Sequence, residues 1–521
     1  MNRDDMIARL TEKNITWDII VIGGGATGLG IAVDAASRGY KVALLEKGDF
    51  GQGTSSRSTK LAHGGVRYLQ QGNINLVLEA LKERGILMRN APHLVHDLMF
   101  VVPNYDWWEG PFYGIGLKLY DLMAGKEGLG RSKMISKEQT LEYIPTIETK
   151  DLAGGVVYYD GQFDDARLLI NLARTAYEQS AVLVNYMPVV ELHKNNSMID
   201  GLKAVDKEKD QTYDLKARVV INATGPYSDR IRYMDDQTVS AIIQPSQGIH
   251  IVLDRKFLPT DRAIMVPHTA DGRVLFAIPW YDHALIGTTD TPLDTVPDEP
   301  VPMKEEIEFV LEHARHYLSE DPSLEDVLST FAGIRPLVVD PKATNTATLS
   351  RDHVIDISPA GLITTAGGKW TTYRKMAEET LEKAMFVGDL EPKACSTERL
   401  LLHGYHNHAE NLGSLRCYGS DAVEIREWAE SDPTLKKQLH PQMEPLAAEV
   451  VWAVRQEMAR TVEDFLARRR RTLLLNARAA IAMAATVAEL MGRELGRKKT
   501  WQKEQISAFK KRAINYLPDK E

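Results

Sequence analysis

The sequence predicts an α/β fold in three parts: a Rossmann-like domain that is discontinuous along the chain, an α+β domain with an antiparallel sheet, and a C-terminal α-helical cap domain. Three observations predict it. A strand, a glycine turn, a helix and a second strand follow one another over residues 17–47. Strand-like runs with Pro and Gly between them crowd the middle of the chain. Beyond residue 388 the periodicity is helical and the composition charged.

Composition bounds the answer. At 521 residues the chain exceeds one ordinary domain. Hydrophobic content of 44% and charged content of 26% fit a globular protein. A net charge of −9 argues against nucleic acid as a main partner, because phosphate binding wants a basic face. Cys395 and Cys417 make neither a disulfide framework nor a C-x-x-C metal or redox site, so no metal is expected and a reducing compartment is. The N-terminal MNRDDMIARLTEKN mixes acids with its basic residues and has no long apolar core, unlike a signal peptide. No run approaches the ~18 apolar residues that span a bilayer. The expected location is the cytoplasm, or the inner face of the cell membrane.

Asp18 to Ile22 is an apolar, β-branched run and reads as a buried strand. Gly23, Gly25 and Gly28 then fit G-x-G-x-x-G. The first permits a tight turn, the second lets backbone approach a pyrophosphate, and the third lets helix and strand pack closely. Ala26 and Thr27 sit at the positive end of the following helix, where phosphate is favoured. Gly39 ends that helix, Lys41 to Leu45 is a second strand, and Glu46 with Lys47 closes it. Glu46 stands where an acid accepts ribose hydroxyls. The pattern marks a dinucleotide and does not choose between NAD and FAD.

Residues 49–58 are rich in Gly, Ser and Thr and read as a loop. Thr54, Ser55 and Ser58 suit a diphosphate or ring edge, or simple turn chemistry. Lys60 and Leu61 lead into His63-Gly64-Gly65-Val66-Arg67-Tyr68, which gathers polar groups beside paired glycines, next to a flat ring; Lys60, Leu61, His63, Gly64 and Gly65 are expected to touch the cofactor.

The fingerprint, the loop T-S-S-x-x-S-T-K-L and the block H-G-G-V-R-Y-L together resemble the aerobic, FAD-dependent glycerol-3-phosphate dehydrogenases, within the D-amino acid oxidase-like flavoproteins. The resemblance covers essentially the whole chain.

Leu76 to Arg89 is a predicted amphipathic helix, and residues 98–101 a strand. Trp107, Trp108, Phe112 and Tyr113 form an aromatic cluster that either packs a domain interface or faces a membrane or quinone. Residues 151–165 read as strand and turn, 168–179 as a helix and 181–185 as a strand. The resemblance implies backbone contact with the adenine near Val190. Residues 202–215 read as a hairpin with a charged tip. Val219 to Asn222 is a strand that ends in Ala223-Thr224-Gly225, a turn such flavoproteins place beside the first one, which favours FAD.

Residues 241–253 and 274–289 alternate as strands of the antiparallel sheet. His250 lies in the first, and the resemblance puts it in the active site. Residues 305–318 are helical. Arg335 follows an apolar run and suits either a carboxylate partner or an anionic substrate. Arg351 is a second candidate, or pairs only with Asp352. Residues 362–365 form a strand that leads to Gly367, Gly368, Lys369, Trp370 and Thr371, and the next helix starts there, its dipole aimed at a flavin edge. In the cap, Arg468 to Arg471 reads either as a solvated or salt-bridged helix face or as a surface site for anionic lipid.

The domains expected are FAD-binding at 1–95, 151–235 and 340–388, substrate-binding at 96–150 and 236–339, and the cap at 389–521. The resemblance implies oxidation of sn-glycerol 3-phosphate to dihydroxyacetone phosphate by hydride transfer to FAD, with electrons passed to a membrane quinone. In that reading His250 or Lys369 handles the hydroxyl proton, Arg335 and Arg67 bind phosphate, and Tyr68 and Arg351 complete the pocket. Peripheral membrane attachment and a homodimer accompany it as expectations. An oxygen-using glycerol-3-phosphate oxidase and a non-catalytic flavin sensor are the alternatives.

Overall fold

The computed structural model describes residues 1–65, 73–106, 109–266, 274–339 and 353–519. Arg67, Tyr68 and Arg351 lie outside them, as do Trp107 and Trp108.

The strand Thr16–Ile22 stands at the centre of a mainly parallel sheet. Ile19, Ile20 and Val21 are fully buried, as a strand covered on both faces requires. It pairs in parallel with Val42–Leu45 on one side and with the end of Gln211–Asn222 on the other. Val182–Val184 and Ile363–Gly367 extend the two sides, again in parallel, and His353–Ile357 adds an antiparallel edge. The hairpin Val189–Asn195 and Met198–Asp206 pairs with the first half of Gln211–Asn222. In register, Ile22 lies beside Leu45 and Asn222, and Asn222 beside Thr364. The turns at Gly23, Ala223 and Gly367 therefore emerge together at the carboxyl ends of parallel strands, where α/β sheets bind ligands. Helices Ala26–Ser37 and Tyr373–Val387 meet at Gly30, where a Cβ would stand 2.8 Å from the Tyr373 ring.

A second sheet holds Val95–Asn104, Gly154–Phe163, Ile243–Asp254, Ala263–Val266, Leu275–Trp280, His283–Gly287 and Val327–Val338. Among its described strands all pairs are antiparallel except Ala263–Val266 with Val95–Asn104. Ile243–Asp254 and Val327–Val338 pair from Ile243↔Val338 to Leu253↔Val327. The sequence-based boundaries shift here. Gly154–Phe163, expected in the cofactor domain, pairs along its length with Val95–Asn104, and Leu61–Ala62 joins its other side. The cofactor domain resumes at helix Asp165–Glu178. An apolar β-run reads alike in either sheet, so the pattern alone does not assign it.

Beyond residue 388 the cap carries helices Ala422–Ser431, Ala447–Gln456, Ala477–Glu494 and Lys499–Ala513, with an unforeseen hairpin, Gln438–His440 and Met443–Leu446. The arginine run is salt-bridged, as one sequence reading allowed, but it is neither solvated nor open to lipid. Arg468, Arg469, Arg470 and Arg471 are only 3%, 0%, 6% and 3% exposed, so they face neither water nor lipid. Arg468 and Arg469 bind Asp49 at 2.6 and 2.5 Å; Arg470 approaches Glu449 at 3.3 Å and Arg471 approaches Asp165 at 3.2 Å. A buried cation needs such partners. Asp49 and Asp165 belong to the cofactor domain, so the run docks the cap onto it.

Candidate active site

A cavity of about 1630 Å³ is walled by both sheets and by the loop that joins them. At one end stands the glycine turn. Gly23 has φ +112°, and a Cβ there would lie 2.6 Å from the Ala223 carbonyl oxygen. A Cβ on Gly28 would lie 1.9 Å from the Gly23 carbonyl oxygen, so Gly28 packs behind the wall and closes the turn. Gly25, Ala26 and Thr27 line the cavity at the N-terminus of helix Ala26–Ser37, and the Ala26 N–H donates to Ser55 Oγ at 3.0 Å. Glu46 accepts from the N–H groups of Gly24 and Gly48 at 2.6 and 2.8 Å. A carboxylate has lone pairs left for a ribose hydroxyl. Burial, opposed by those two N–H groups, pushes its pKa up. Lys47 lies 3.8 Å above the Tyr227 ring.

Ala223, Thr224 and Gly225 form the next part of the wall, and Thr224 Oγ1 donates to Asn222 Oδ1 at 2.7 Å. Gly367, Gly368, Lys369, Trp370 and Thr371 form another; both glycines have positive φ, +76° and +74°. Trp370 Nε1 donates to the Ser55 carbonyl at 2.8 Å, and the His63 N–H donates to Thr371 Oγ1 at 3.2 Å. A glycine cradle, a helix N-terminus and an acid at the second strand thus converge as a dinucleotide requires, and the cavity fits FAD.

The connecting loop splits into a facing and a supporting row. Thr54, Ser55, Ser58, Leu61, His63 and Gly65 line the cavity. Lys60 and Gly64, expected to touch the cofactor, do not line the cavity. Lys60 is fully buried and binds Asp165 at 2.7 Å; burial, opposed by Asp165, lowers its pKa to about 8. The Gly64 N–H donates to Tyr120 Oη at 2.9 Å, and a Cβ there would come within 2.4 Å of that oxygen. Val190 is 46% exposed, and Pro188 and Val189 form the wall instead. All three residues are adjacent to lining residues, and sequence spacing does not say which way a side chain turns.

At the other end the second sheet supplies His250 and Arg335 from paired strands. His250 is 3% exposed and stacks on Phe331 at 5.0 Å and 15°. Its Nε2 lies 3.0 Å from Thr59 Oγ1. Burial, then the charges of Lys60 and Arg335, hold its pKa well below 6.5, so it is a neutral imidazole at pH 7. The Arg335 guanidinium lies over Gly248, where a Cβ would meet it at 2.4 Å. It binds Asp290 Oδ1 at 3.1 Å and Thr288 Oγ1 at 3.2 Å. Arg335 therefore has the carboxylate partner that one reading expected, and it also lines the cavity. Lys369 lines the same cavity from the cofactor side.

Sequence reasoning missed Thr59, Thr288 and Asp290. Thr59 lies within the T-S-S-x-x-S-T-K-L block, the one signal that pointed to it. Arg512 of the cap also reaches the wall, where it joins Arg57 and Tyr516 around Glu299. Nothing in its sequence context marks it.

Comparison with known proteins bears on the whole chain. Residues 18–374 match the family model described as FAD dependent oxidoreductase. Residues 367–505 match that of the C-terminal domain of alpha-glycerophosphate oxidase. The chain is 43% identical over 538 residues to a mitochondrial glycerol-3-phosphate dehydrogenase of Macaca fascicularis, covering 96% of this chain and 74% of that one. The crystal structure of a glycerol-3-phosphate dehydrogenase from Bacillus halodurans, complexed with FAD, superposes with a TM-score of 0.81 at 30% identity, over 99% of this chain and 98% of that one. The L-alpha-glycerophosphate oxidase of Mycoplasma pneumoniae, also with FAD bound, shares the fold at 18% identity and TM-score 0.58, over 74% and 98% of the two chains.

Proposed function

The chain belongs to the family of FAD-dependent glycerol-3-phosphate dehydrogenases, and from that premise we propose that it oxidises sn-glycerol 3-phosphate to dihydroxyacetone phosphate and passes the electrons to a membrane quinone. The observation that carries the reading is the placement of His250 and Arg335, from paired strands, in the same cavity as the glycine turn.

FAD, when bound, accepts the hydride from the alcohol carbon. Arg335 offers its guanidinium fork to the phosphate, with Asp290 and Thr288 holding the fork in place. Neutral His250 takes the hydroxyl proton. A dianionic phosphate beside Arg335 offsets one of the two cations that hold the pKa of His250 down, so the base strengthens when substrate binds. Lys369 stabilises the oxygen as its negative charge grows. The family resemblance adds Arg67, Tyr68 and Arg351 to this pocket.

A quinone acceptor is supported by apolar side chains at the cavity mouth. Ile115 and Leu119 of helix Glu109–Ala124 line the cavity yet are 72% and 46% exposed, and Leu122 is 77% exposed. No helix among the described residues is long and apolar enough to cross a membrane. Attachment at the inner membrane face, through this apolar surface, accompanies the quinone reading.

The test is anaerobic titration with glycerol 3-phosphate, followed by reoxidation with a soluble quinone or with oxygen. Bleaching of the flavin and rapid reoxidation by quinone are expected. An unbleached flavin defeats the enzyme reading; peroxide formed one-for-one with substrate defeats the quinone reading.

A further inference from the structure

His250 borders the cavity, yet neither of its ring nitrogens is open to a substrate directly. Its Nδ1 is sealed from solvent and has no hydrogen-bond partner among the described residues. Its Nε2 is engaged by Thr59 Oγ1 at 3.0 Å. The ring cannot slide to change this: Phe331 stacks on its face, and Gly287 is so close that a Cβ would lie 2.3 Å from Cδ2. Thr59 lines the same cavity, with its hydroxyl against Nε2. A hydroxyl can donate to one neighbour and accept from another at once.

Thr59 is also held more firmly than a loop threonine needs to be. Ser58 and Lys60 on either side both bind the Asp165 carboxylate, through Ser58 N–H and Oγ at 3.1 and 2.7 Å and Lys60 Nζ at 2.7 Å. Lys60 Nζ also donates to the carbonyls of Ser56 and Ser58 at 3.1 and 2.9 Å. Arg471 of the cap binds the other oxygen of Asp165 at 3.2 Å and donates to the Ser56 carbonyl. The backbone at Thr59 is thus fixed by a buried ionic cluster that itself never reaches the cavity.

We infer that the base of the reaction is a Thr59–His250 pair, in which the Thr59 hydroxyl receives the substrate's hydroxyl proton and hands its own to His250 Nε2. The inference rests on the function proposed above. The balance is simple. The C–H bond breaks and its electron pair leaves as hydride to FAD. The substrate O–H proton forms a new bond to Oγ1, the former Oγ1 proton bonds to Nε2, and the C–O bond becomes a carbonyl. Thr59 ends neutral and His250 ends as imidazolium. The charged groups that face the ring are Lys60 and Arg335, and both oppose that cation. Bound phosphate compensates Arg335. Relay of the proton is therefore coupled to a phosphorylated substrate, and plain glycerol should not trigger it.

The arrangement requires Nε2 to be the unprotonated nitrogen of neutral His250. NMR of the [15N]histidine-labelled holoenzyme, with His250 assigned by a His250→Asn variant, reads this directly and without turnover. An Nδ1–H tautomer is expected, with an Nε2 shift that moves in Thr59→Val; a proton on Nε2 in the unmodified protein overturns the relay. In anaerobic stopped-flow, Thr59→Val should slow flavin reduction by about 10²-fold or more, the scale of positioned acid–base catalysis. Saturation by glycerol 3-phosphate should change less than threefold, and Thr59→Ser should recover most of the rate. Reduction by Thr59→Val within threefold of the unmodified enzyme overturns the inference and leaves the proposed function standing. If glycerol 3-phosphate fails to reduce the unmodified flavin, the function falls, and the tautomer still reports on the pair. If Thr59→Val loses FAD, the tautomer of the unmodified protein and the rate of Thr59→Ser decide.

Discussion

Replacing Arg335 by alanine is the perturbation that the site defines best. The guanidinium has a side-chain exposure of 22% and touches Asp290 at 3.1 Å and Thr288 at 3.2 Å. A charge-assisted hydrogen bond contributes about 1.5–3 kcal/mol net. Asp290 already neutralises part of the fork, so about 2 kcal/mol is the share assigned to phosphate. Truncation also leaves the Asp290 carboxylate facing the phosphate. At a separation of about 6 Å and an effective dielectric near 20, that repulsion is about 3 kcal/mol per unit charge, and solvent entering the gap lowers it to roughly 2. Together the two effects come to about 4 kcal/mol, close to a thousandfold in KM. Arg335→Ala combined with Asp290→Asn removes the repulsion and should recover at least tenfold. The assay is anaerobic flavin reduction over a range of glycerol 3-phosphate, with FAD content per chain as the control. A KM within threefold of the unmodified enzyme, or a loss confined to the rate at saturation, refutes the phosphate role. A double variant no better than the single one refutes the account of Asp290.

Two further outcomes are expected. Asp49→Asn removes the charge shared by Arg468 and Arg469, leaving Arg469 with the Glu457 carbonyl at 2.7 Å and the Glu457 carboxylate at 4.0 Å; breaking such a buried pair costs about 3–5 kcal/mol, to be read from urea unfolding and from protease sensitivity of the cap. An unchanged midpoint would show that the cluster does not dock the cap. His403 bridges Glu178 of the cofactor domain and Asp421 of the cap at 2.6 and 2.8 Å; burial works against its charge, but the bonds to Asp421 and Glu178 win and raise its pKa. The folded chain therefore keeps that proton to higher pH than the unfolded chain. Its contribution is complete below an ordinary histidine pKa of about 6.5 and is lost as pH rises through the higher folded value. Thermal scans of the unmodified protein should fall across that window relative to those of His403→Gln, and parallel curves would contradict the bridge.

Much of the cofactor end was legible because its chemistry is written in local spacing. Gly23, Gly25 and Gly28 sit within one turn, and Gly28 closes on the Gly23 carbonyl as the spacing itself implies; only the contacts of Gly23 with Ala223 and of Gly25 with Ser55 come from elsewhere in the chain. The paired glycines at Gly367 and Gly368 are readable for the same reason. The substrate end is different. Thr59 meets His250 across 191 residues, and Arg335 meets Asp290 across 45. Which threonine of a hydroxyl-rich loop turns inward depends on Asp165 and Arg471, which no spacing connects to it. The arginine run shows the limit most plainly. Four consecutive arginines look the same in sequence whether water or carboxylates surround them, and the deciding partners, Asp49 and Asp165, lie more than 300 residues upstream. Lys60 shows the same limit: a lysine in a cofactor loop faces the cavity or serves as a buried strut according to whether an acid lies beneath it.

The interleaving of the two sheets also sets a timetable for synthesis. Thr16–Ile22 leaves the ribosome early and gains Val42–Leu45 within seconds, but its other neighbour, Gln211–Asn222, begins almost 190 residues later. At roughly 5–20 residues per second, that edge of the central strand waits about 10–40 s for its partner. Throughout that interval it is an open, apolar template of the kind that pairs with the wrong chain. The helix Ala26–Ser37 covers only one face of it, and Ile363–Gly367 arrives later still. A nascent chain of this design must be shielded along one strand edge until more than two fifths of it has been made.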